Sequence, residues 1–442
     1  MGAFEALALT TVMPQVAREL NGDHLYALAL GVPLATHVIS TTFAGRWVDA
    51  RGAYLPVIVG CILAGSGLLI AGLAPAMELV AIGRAVMGLG TGLLMVALYA
   101  MVGSNVPTSK QPTFFAAFAA AWIVPSMFGP YIAGVLAEWY SWRVVFLMAV
   151  PILAASAVAM IPILRPLPRR HEKLFARKRD YRILVFAICA GGGVALMQMV
   201  TATWRVTALI YFIALAIAVI ICLHYLLPTG TLRALRDSVG AAVATRMWIN
   251  AGVVATEAFL PLMLVQIHGW TEKTAGIVLA VGGVSWGIGS FIQSRIHDSL
   301  WRHRLPLIGG LLSMVGVAIA AVTSLPAVPP ALTALAWALA GTGIGLTLPA
   351  MSVVALAVSP KREHGAVSAA LQIVDGIGGA FAIAVVGVFQ MLPHLSFWPS
   401  NKGVNPFFSG LLFMAVLCGI SLLTARRVPK VTAEGSDAIP SL

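Results

Sequence analysis

The side chains able to move protons or hold a charged ligand are few, and they fall inside long apolar runs. Glu5 lies in FEALALTTVMP, Arg84 in AIGRAVMGLGTG, Glu257 in VATEAFLPL and Asp375 in LQIVDGIGGAFA. An ionisable group at such a place has lost its hydration, so it is a functional candidate by default. A desolvated carboxyl can exchange a proton near neutral pH, and a carboxylate can attract a cation. Arg84 stays charged and needs a partner within the protein. A carboxylate such as Glu5 would serve, and proton gain or loss would then switch the pairing. No lysine or arginine lies in the run that holds Asp375, which leaves it open to a proton, a cationic ligand or both. Each residue has a structural alternative: an interfacial position for Glu5, carbonyl capping for Arg84, and a hydrogen bond at the bend from Gly376 to Gly379 for Asp375. A lone intramembrane histidine such as His37 is more often a neutral hydrogen bonder than a titrating switch. Asn250 and Gln372 read as interhelical hydrogen bonders.

The elements that must position these groups are membrane helices. The chain has 442 residues, 60% hydrophobic and 10% charged, with a mean hydropathy of +0.93; soluble chains carry about 25% charged residues. The apolar residues come in runs of about 20, long enough to cross a ~30 Å hydrocarbon layer as helix. A run without water around it must satisfy its own backbone, which selects helices. The class is an all-α polytopic membrane protein with fourteen spans, at 1–20, 25–44, 54–74, 78–103, 112–137, 143–164, 183–203, 206–227, 241–267, 274–294, 305–325, 331–358, 366–392 and 407–425. Only about 16 apolar residues precede Arg18 in the first span, short for a crossing, which suggests further residues ahead of Met1.

Basic residues orient the spans. One side holds 22 Lys and Arg, including Arg46, Arg51, the eight of residues 165–182, Arg233, Arg236, Arg246, Arg426 and Arg427; the other holds five, Arg18, Arg143, Arg205, Lys273 and Lys402. The rich side is expected to be cytoplasmic, with both termini there and the whole chain in the cytoplasmic (inner) membrane. Membrane topology therefore accounts for the net charge of +12, and no nucleic-acid partner is implied. The four cysteines are scattered within apolar runs and show neither metal spacing nor a disulfide framework.

An internal echo recurs at an offset of about 250 residues. LPVIVG at Leu55–Gly60 returns as LPLIGG at Leu305–Gly310, and Arg84, Gly88, Gly90 and Gly92 return as Trp337, Gly341, Gly343 and Gly345. Glu5 and Glu257 occupy similar places in spans 1 and 9. The organisation expected is a six-helix bundle over 1–164, a basic cytoplasmic loop over 165–182, an inserted helix pair and linker over 183–240, a second six-helix bundle over 241–427 and a disordered tail over 428–442.

Two local patterns carry a resemblance. Gly129, Pro130 and Gly134 in GPYIAG, followed by SWRVVFLMAVP, resemble the antiporter signature and the segment after it in drug:proton antiporters of the major facilitator superfamily; Ala133 stands where that signature has glycine. Gly45, Asp49 and Gly52 match the superfamily's cytoplasmic loop motif, whose basic positions here read Ala50, Ala53 and Tyr54. With two extra helices between the bundles, the chain is similar to the fourteen-span branch. The resemblance implies a major facilitator fold whose substrate site lies between the halves. It also implies that Glu5, Arg84, Asp375 and Glu257 couple protons, and that Gly45, Asp49, Gly52, Gly129, Pro130 and Gly134 serve the conformational change.

The expected cavity lining is aromatic and flexible, from Trp122, Met127, Phe128, Phe259, Met263, Trp286, Trp337 and Met351, with Asp375 as the charge. Such side chains accept varied apolar or cationic molecules. The function implied is proton-coupled efflux of amphipathic or cationic small molecules by a monomer working among membrane lipids, with the proton as coupling ion and no other cofactor. Export of an endogenous lipid or metabolite is the alternative. A membrane-bound enzyme finds no catalytic arrangement in the chain, and an ATP-driven pump finds no GxxxxGK[ST] loop.

Overall fold

The computed structural model describes residues 2–105, 125, 128–165, 178–203, 206–228, 230–296, 299–359, 364–394 and 405–429. In chain order the helices are α1 (Gly2–Glu19), α2 (Tyr26–Arg51), α3 (Tyr54–Gly72), α4 (Met77–Asn105), α5 (128–139), α6 (Trp142–Leu147), α7 (Ala149–Leu164), α8 (Lys178–Thr201) and α9 (Val206–Leu226). They continue as α10 (Val239–His268), α11 (Glu272–Arg295), α12 (Ser299–Thr323), α13 (Leu332–Ala357), α14 (His364–Met391) and α15 (Pro406–Ala425). α6 and α7 together make one crossing, so the chain forms fourteen transmembrane helices: two six-helix bundles, α1–α7 and α10–α15, with α8 and α9 added. Trp122 and Met127 lie outside the described residues.

Local sequence explains the helix ends. Ser141, Ser238, Thr271 and Asn405 each accept a hydrogen bond from a backbone N–H in the first turn of the following helix, which satisfies donors that apolar surroundings would otherwise leave unpaired. Gly52 ends α2 at φ 79°, a conformation that a side chain would strain. In the Ser-Trp-Arg segment, Ser141 is the cap. Trp142 is buried and donates its indole N–H to Glu19 at 2.8 Å, and Arg143 donates to the Ala74 carbonyl at 3.1 Å. The segment thus ties α6 to the ends of α1 and α3.

Within each bundle the helices meet through glycine. A Cβ on Gly88 or Gly92 of α4 would collide with α2 at Thr36 or Ser40, whereas one on Gly90 would collide with α3 at Ala64. The second bundle repeats the scheme: Gly341 and Gly345 of α13 face α11 at Ser285 and Trp286, and Gly343 faces α12 at Gly309 and Ser313. The sequence echo is therefore a shared packing scheme, one glycine row serving two neighbouring helices. Without water to drive helices together, such close backbone contact supplies much of the association energy.

The bundles meet along two seams. On the side poor in basic residues, α5 lies on the start of α11: a Cβ on Gly134 would sit 2.5 Å from Lys273 Cα, and one on Gly276 would sit 2.5 Å from the Pro130 carbonyl oxygen. Arg18 pairs with Glu272 across this seam, and Lys273 lies 4.0 Å from Glu138. Between α2 and α10, the buried Tyr26 hydroxyl donates to the Ala258 carbonyl at 2.8 Å, and its ring packs on Phe259 at 5.4 Å. The second seam joins α2 and α14, with Gly376 against Val38 and Gly387 against Ala27. α8 lies across it, its buried Gln198 donating to the Ala380 carbonyl at 2.9 Å and filling the space beside Gly31. α9 is far more exposed than α10, with 17% of its span buried against 83%.

The α5–α11 contact generates a test. Gly134→Val is expected to wedge this seam open. Spin labels at Glu78 and Leu332, at the basic-poor ends of α4 and α13, should then show a longer distance population by pulsed electron resonance. An unchanged distribution would mean that the contact does not hold the seam.

Candidate functional site

Arg246, Asn250 and Glu257 occupy one face of α10, at spacings of four and eleven residues. Arg246 lies about two turns inside the helix. Its guanidinium grips Asp375 of α14 from the side, Nε at 2.9 and 3.2 Å from the two carboxylate oxygens and Nη2 at 2.5 Å from Oδ2. Nη1 donates to the Leu348 carbonyl at 2.8 Å and to Ser352 Oγ at 2.6 Å, both on α13. Asn250 completes the arrangement by donating to the Asp375 backbone carbonyl at 3.0 Å. One fork thus joins α10, α13 and α14, and its two-point grip on the carboxylate adds direction to charge. The side chains are 12% and 23% exposed, so the pair is largely desolvated while the carboxylate can still be reached.

This corrects the sequence reading in one respect. Arg246 was counted among the loop charges of the basic side; it belongs to the interior of α10 and is the counter-charge of Asp375. The signal was present, since residue 246 falls inside the span expected over 241–267. An arginine there should have ranked with Arg84.

Glu257 lies three turns further along α10, about 16 Å by helical rise. It is half-buried and makes no hydrogen bond or ion pair among the described residues. Its neighbour Ala258 accepts the Tyr26 bond of the inter-bundle seam, just as the neighbour of Asp375, Gly376, contacts Val38. Glu257 and Asp375 are therefore each one residue from a contact with α2.

In the first bundle Arg84 is buried and donates from Nε to the Ala29 carbonyl at 2.5 Å, joining α4 to α2. Glu5 falls in α1, and its side chain lies outside the described residues, as does that of Asp49. His37 Nδ1 is 3.3 Å from Thr91 Oγ1. Of the expected lining, Phe128 is exposed, Trp286 is half-buried, and Phe259, Met263, Trp337 and Met351 are buried. Phe259 packs against the tilted ring of Tyr26 in the seam, and Trp337 fills the space beside Gly282. Gly45 has open space around it. Among the described residues no group of His, Cys, Asp and Glu could hold a metal ion.

The comparisons agree with this architecture. The family model described as Major Facilitator Superfamily matches residues 1–383. A probable multidrug-efflux transporter of Mycobacterium tuberculosis is 25% identical over 393 residues, covering 86% of this chain and 82% of that protein. The methylenomycin A resistance protein of Bacillus subtilis is 24% identical over 380 residues, 84% of this chain and 78% of the relative. Among solved structures, a peptide transporter of the POT type in complex with sulfate superposes with a TM-score of 0.68 at 15% identity, covering 96% of this chain and 92% of that one. A bacterial homologue of the lysosomal transporter Spinster, inward-facing, gives 0.60 at 15% identity over 96% and 94%. The chain belongs to the major facilitator superfamily. It is a multi-pass membrane carrier, not an enzyme, and moves small molecules by alternating access of its two bundles.

The ion pair can be weighed by a double-mutant cycle. Arg246→Leu alone leaves a desolvated carboxylate unpaired, at a cost of about 3–5 kcal/mol. Adding Asp375→Asn removes that charge and should restore much of the loss, with a coupling of about 1–3 kcal/mol in thermal or denaturant unfolding in detergent. Strictly additive losses would show that the two side chains do not depend on each other.

Proposed function

We propose that this carrier exports amphipathic or cationic small molecules across the cytoplasmic membrane in exchange for protons, as a monomer with both termini on the cytoplasmic side. The observation that carries the reading is the partly accessible carboxylate of Asp375, held by Arg246 beside the contact between α14 and α2. Protonation of Asp375 removes its charge and releases the guanidinium. Loss of the proton, or arrival of a cation competing for the carboxylate, changes the pairing again. Because Gly376 packs on α2, a change at Asp375 bears on the surface along which the bundles move. Glu257, beside the Tyr26 contact, is the second proton site, and Glu5 and Arg84 are the proton-coupling residues of the first bundle. Gly129, Pro130 and Gly134 lie in or beside the seam with α11, and Gly45 and Asp49 lie in the last turns of α2, which Gly52 ends; both groups act in the conformational change.

Support for the substrate class comes from the relatives named as multidrug-efflux and antibiotic-resistance proteins; Trp122, Met127, Phe128, Phe259, Trp286 and Trp337 are the side chains this reading assigns to the substrate path. Orientation rests on the distribution of basic residues, 21 against five once Arg246 is moved from the loops to the interior. The fourteen crossings support placement in the fourteen-span drug:proton antiporter branch.

The test is ligand-induced proton release from lightly buffered, purified protein, across cationic dyes, neutral drugs and lipids. Release is expected with cationic dyes, and should be lost in Asp375→Asn and reduced several-fold in Glu257→Gln or Glu5→Gln. Binding without release throughout the panel would overturn proton exchange. Release with lipids alone would replace the drug reading with export of an endogenous amphiphile.

A further inference from the structure

The linker between α9 and α10 takes no part in the charge network or in the seams. It turns back on itself, with Gly230 at φ 87°, the Thr231 hydroxyl donating to the Pro228 carbonyl at 2.8 Å and the Leu235 N–H to the Gly230 carbonyl at 3.1 Å. The end of α15 holds it in place: the Asp237 N–H donates to the Arg427 carbonyl at 2.8 Å, and the Arg427 side chain donates to the Arg233 carbonyl at 3.2 Å. Against the last turn of α9 this fold encloses a cavity of about 280 Å³, apolar along Leu223, Leu227 and Pro228 and polar along His224, Thr231 and Arg233.

The chemistry of the cavity follows the depth of the membrane. Ile213, Ile217 and Ile220 of α9 are 47–58% exposed, as lipid-facing side chains are. His224 continues the same helical stripe at the next turn. Arg233 faces the cavity from the linker, and neither its side chain nor that of His224 makes a hydrogen bond or ion pair among the described residues. Arg236 adds a further exposed charge, and its contact with Asp237 is a loose 3.6 Å. A stripe that welcomes acyl chains thus ends in uncommitted cationic and hydrogen-bonding groups on the basic face of the protein.

We propose that this cavity binds the phosphate headgroup of an anionic phospholipid, with its acyl chains along the exposed stripe of α9. A guanidinium matches two phosphate oxygens at once. Basic pockets at this depth select anionic over zwitterionic headgroups, each Arg contributing about 1 kcal/mol near the surface. The site lies on the inserted pair and its linker, apart from the charge network and the seams, so its test is separate from that of the proton-exchange reading.

The experiment is native mass spectrometry of the full chain in detergent, titrated with phosphatidylglycerol or phosphatidylcholine. The wild type should retain phosphatidylglycerol preferentially. Arg233→Gln should lower its retention about fivefold, the equivalent of one arginine near the surface, and the double variant with His224→Gln should lower it further. Arg233→Lys should keep most of the preference. Arg51→Gln, which removes one exposed charge elsewhere on the same face, should leave it unchanged. Equal retention of the two lipids, or an equal loss in Arg51→Gln, would overturn the site. Displacement of the lipid by millimolar inorganic phosphate or glycerol 3-phosphate would also overturn it, marking a site for soluble anions.

Discussion

A charge held inside an apolar span has to be met by a charge or hydrogen-bonding group from within the protein, and in the second bundle the pairing of Arg246 with Asp375 meets that requirement. Arg246 and Asp375 come from helices far apart in sequence, and Arg246 binds a carbonyl and a hydroxyl on a third. Three helices are thereby held in one register by a single fork. A hydrophobic replacement of the whole group could be as stable. An ion pair differs from apolar packing in that a proton can undo it, and this distinction matters in a carrier that must change shape.

The remaining construction is close approach between backbones. Glycine rows on α4 and α13 each serve two neighbours, and the same device closes α5 onto α11 through Gly134 and Gly276. Lipid gives helices no hydrophobic reason to associate, so cohesion falls to dispersion and to well-placed polar contacts. Surfaces of this kind can slide or part without exposing a large apolar area to water. The second bundle places Glu257 and Asp375 each next to a residue in contact with α2, which puts titratable groups beside the surfaces that alternating access has to rearrange. The inserted pair is attached where this matters too, since α8 reaches both α2 and α14 through the surroundings of Gln198.

The sequence by itself determined the class, the number of crossings and most helix limits, because hydrocarbon thickness and backbone hydrogen bonding leave little freedom to an apolar run of twenty residues. α10 was expected at 241–267 and runs from Val239 to His268. Ser238 and Gly269 mark its ends in the sequence. The glycine echo between Gly88–Gly92 and Gly341–Gly345 was legible as a repeat and corresponds to one packing scheme used twice. Asp375 and Glu257 stood out for the same reason, since a carboxyl in an apolar run has no routine explanation.

What only the tertiary structure decided was pairing. Asp375 looked unneutralised because its partner lies 129 positions away on another helix, and span-by-span reading carries no information on which helices touch. The same holds for Phe259 and Trp337. Their types suggested a cavity wall, yet the structure places one against Tyr26 in the seam and the other beside Gly282. Composition sets how many charges and rings the membrane interior must accommodate. Where each one finds its partner is fixed by helix packing, because contacts between distant segments depend on the register and rotation of whole helices rather than on their local sequence.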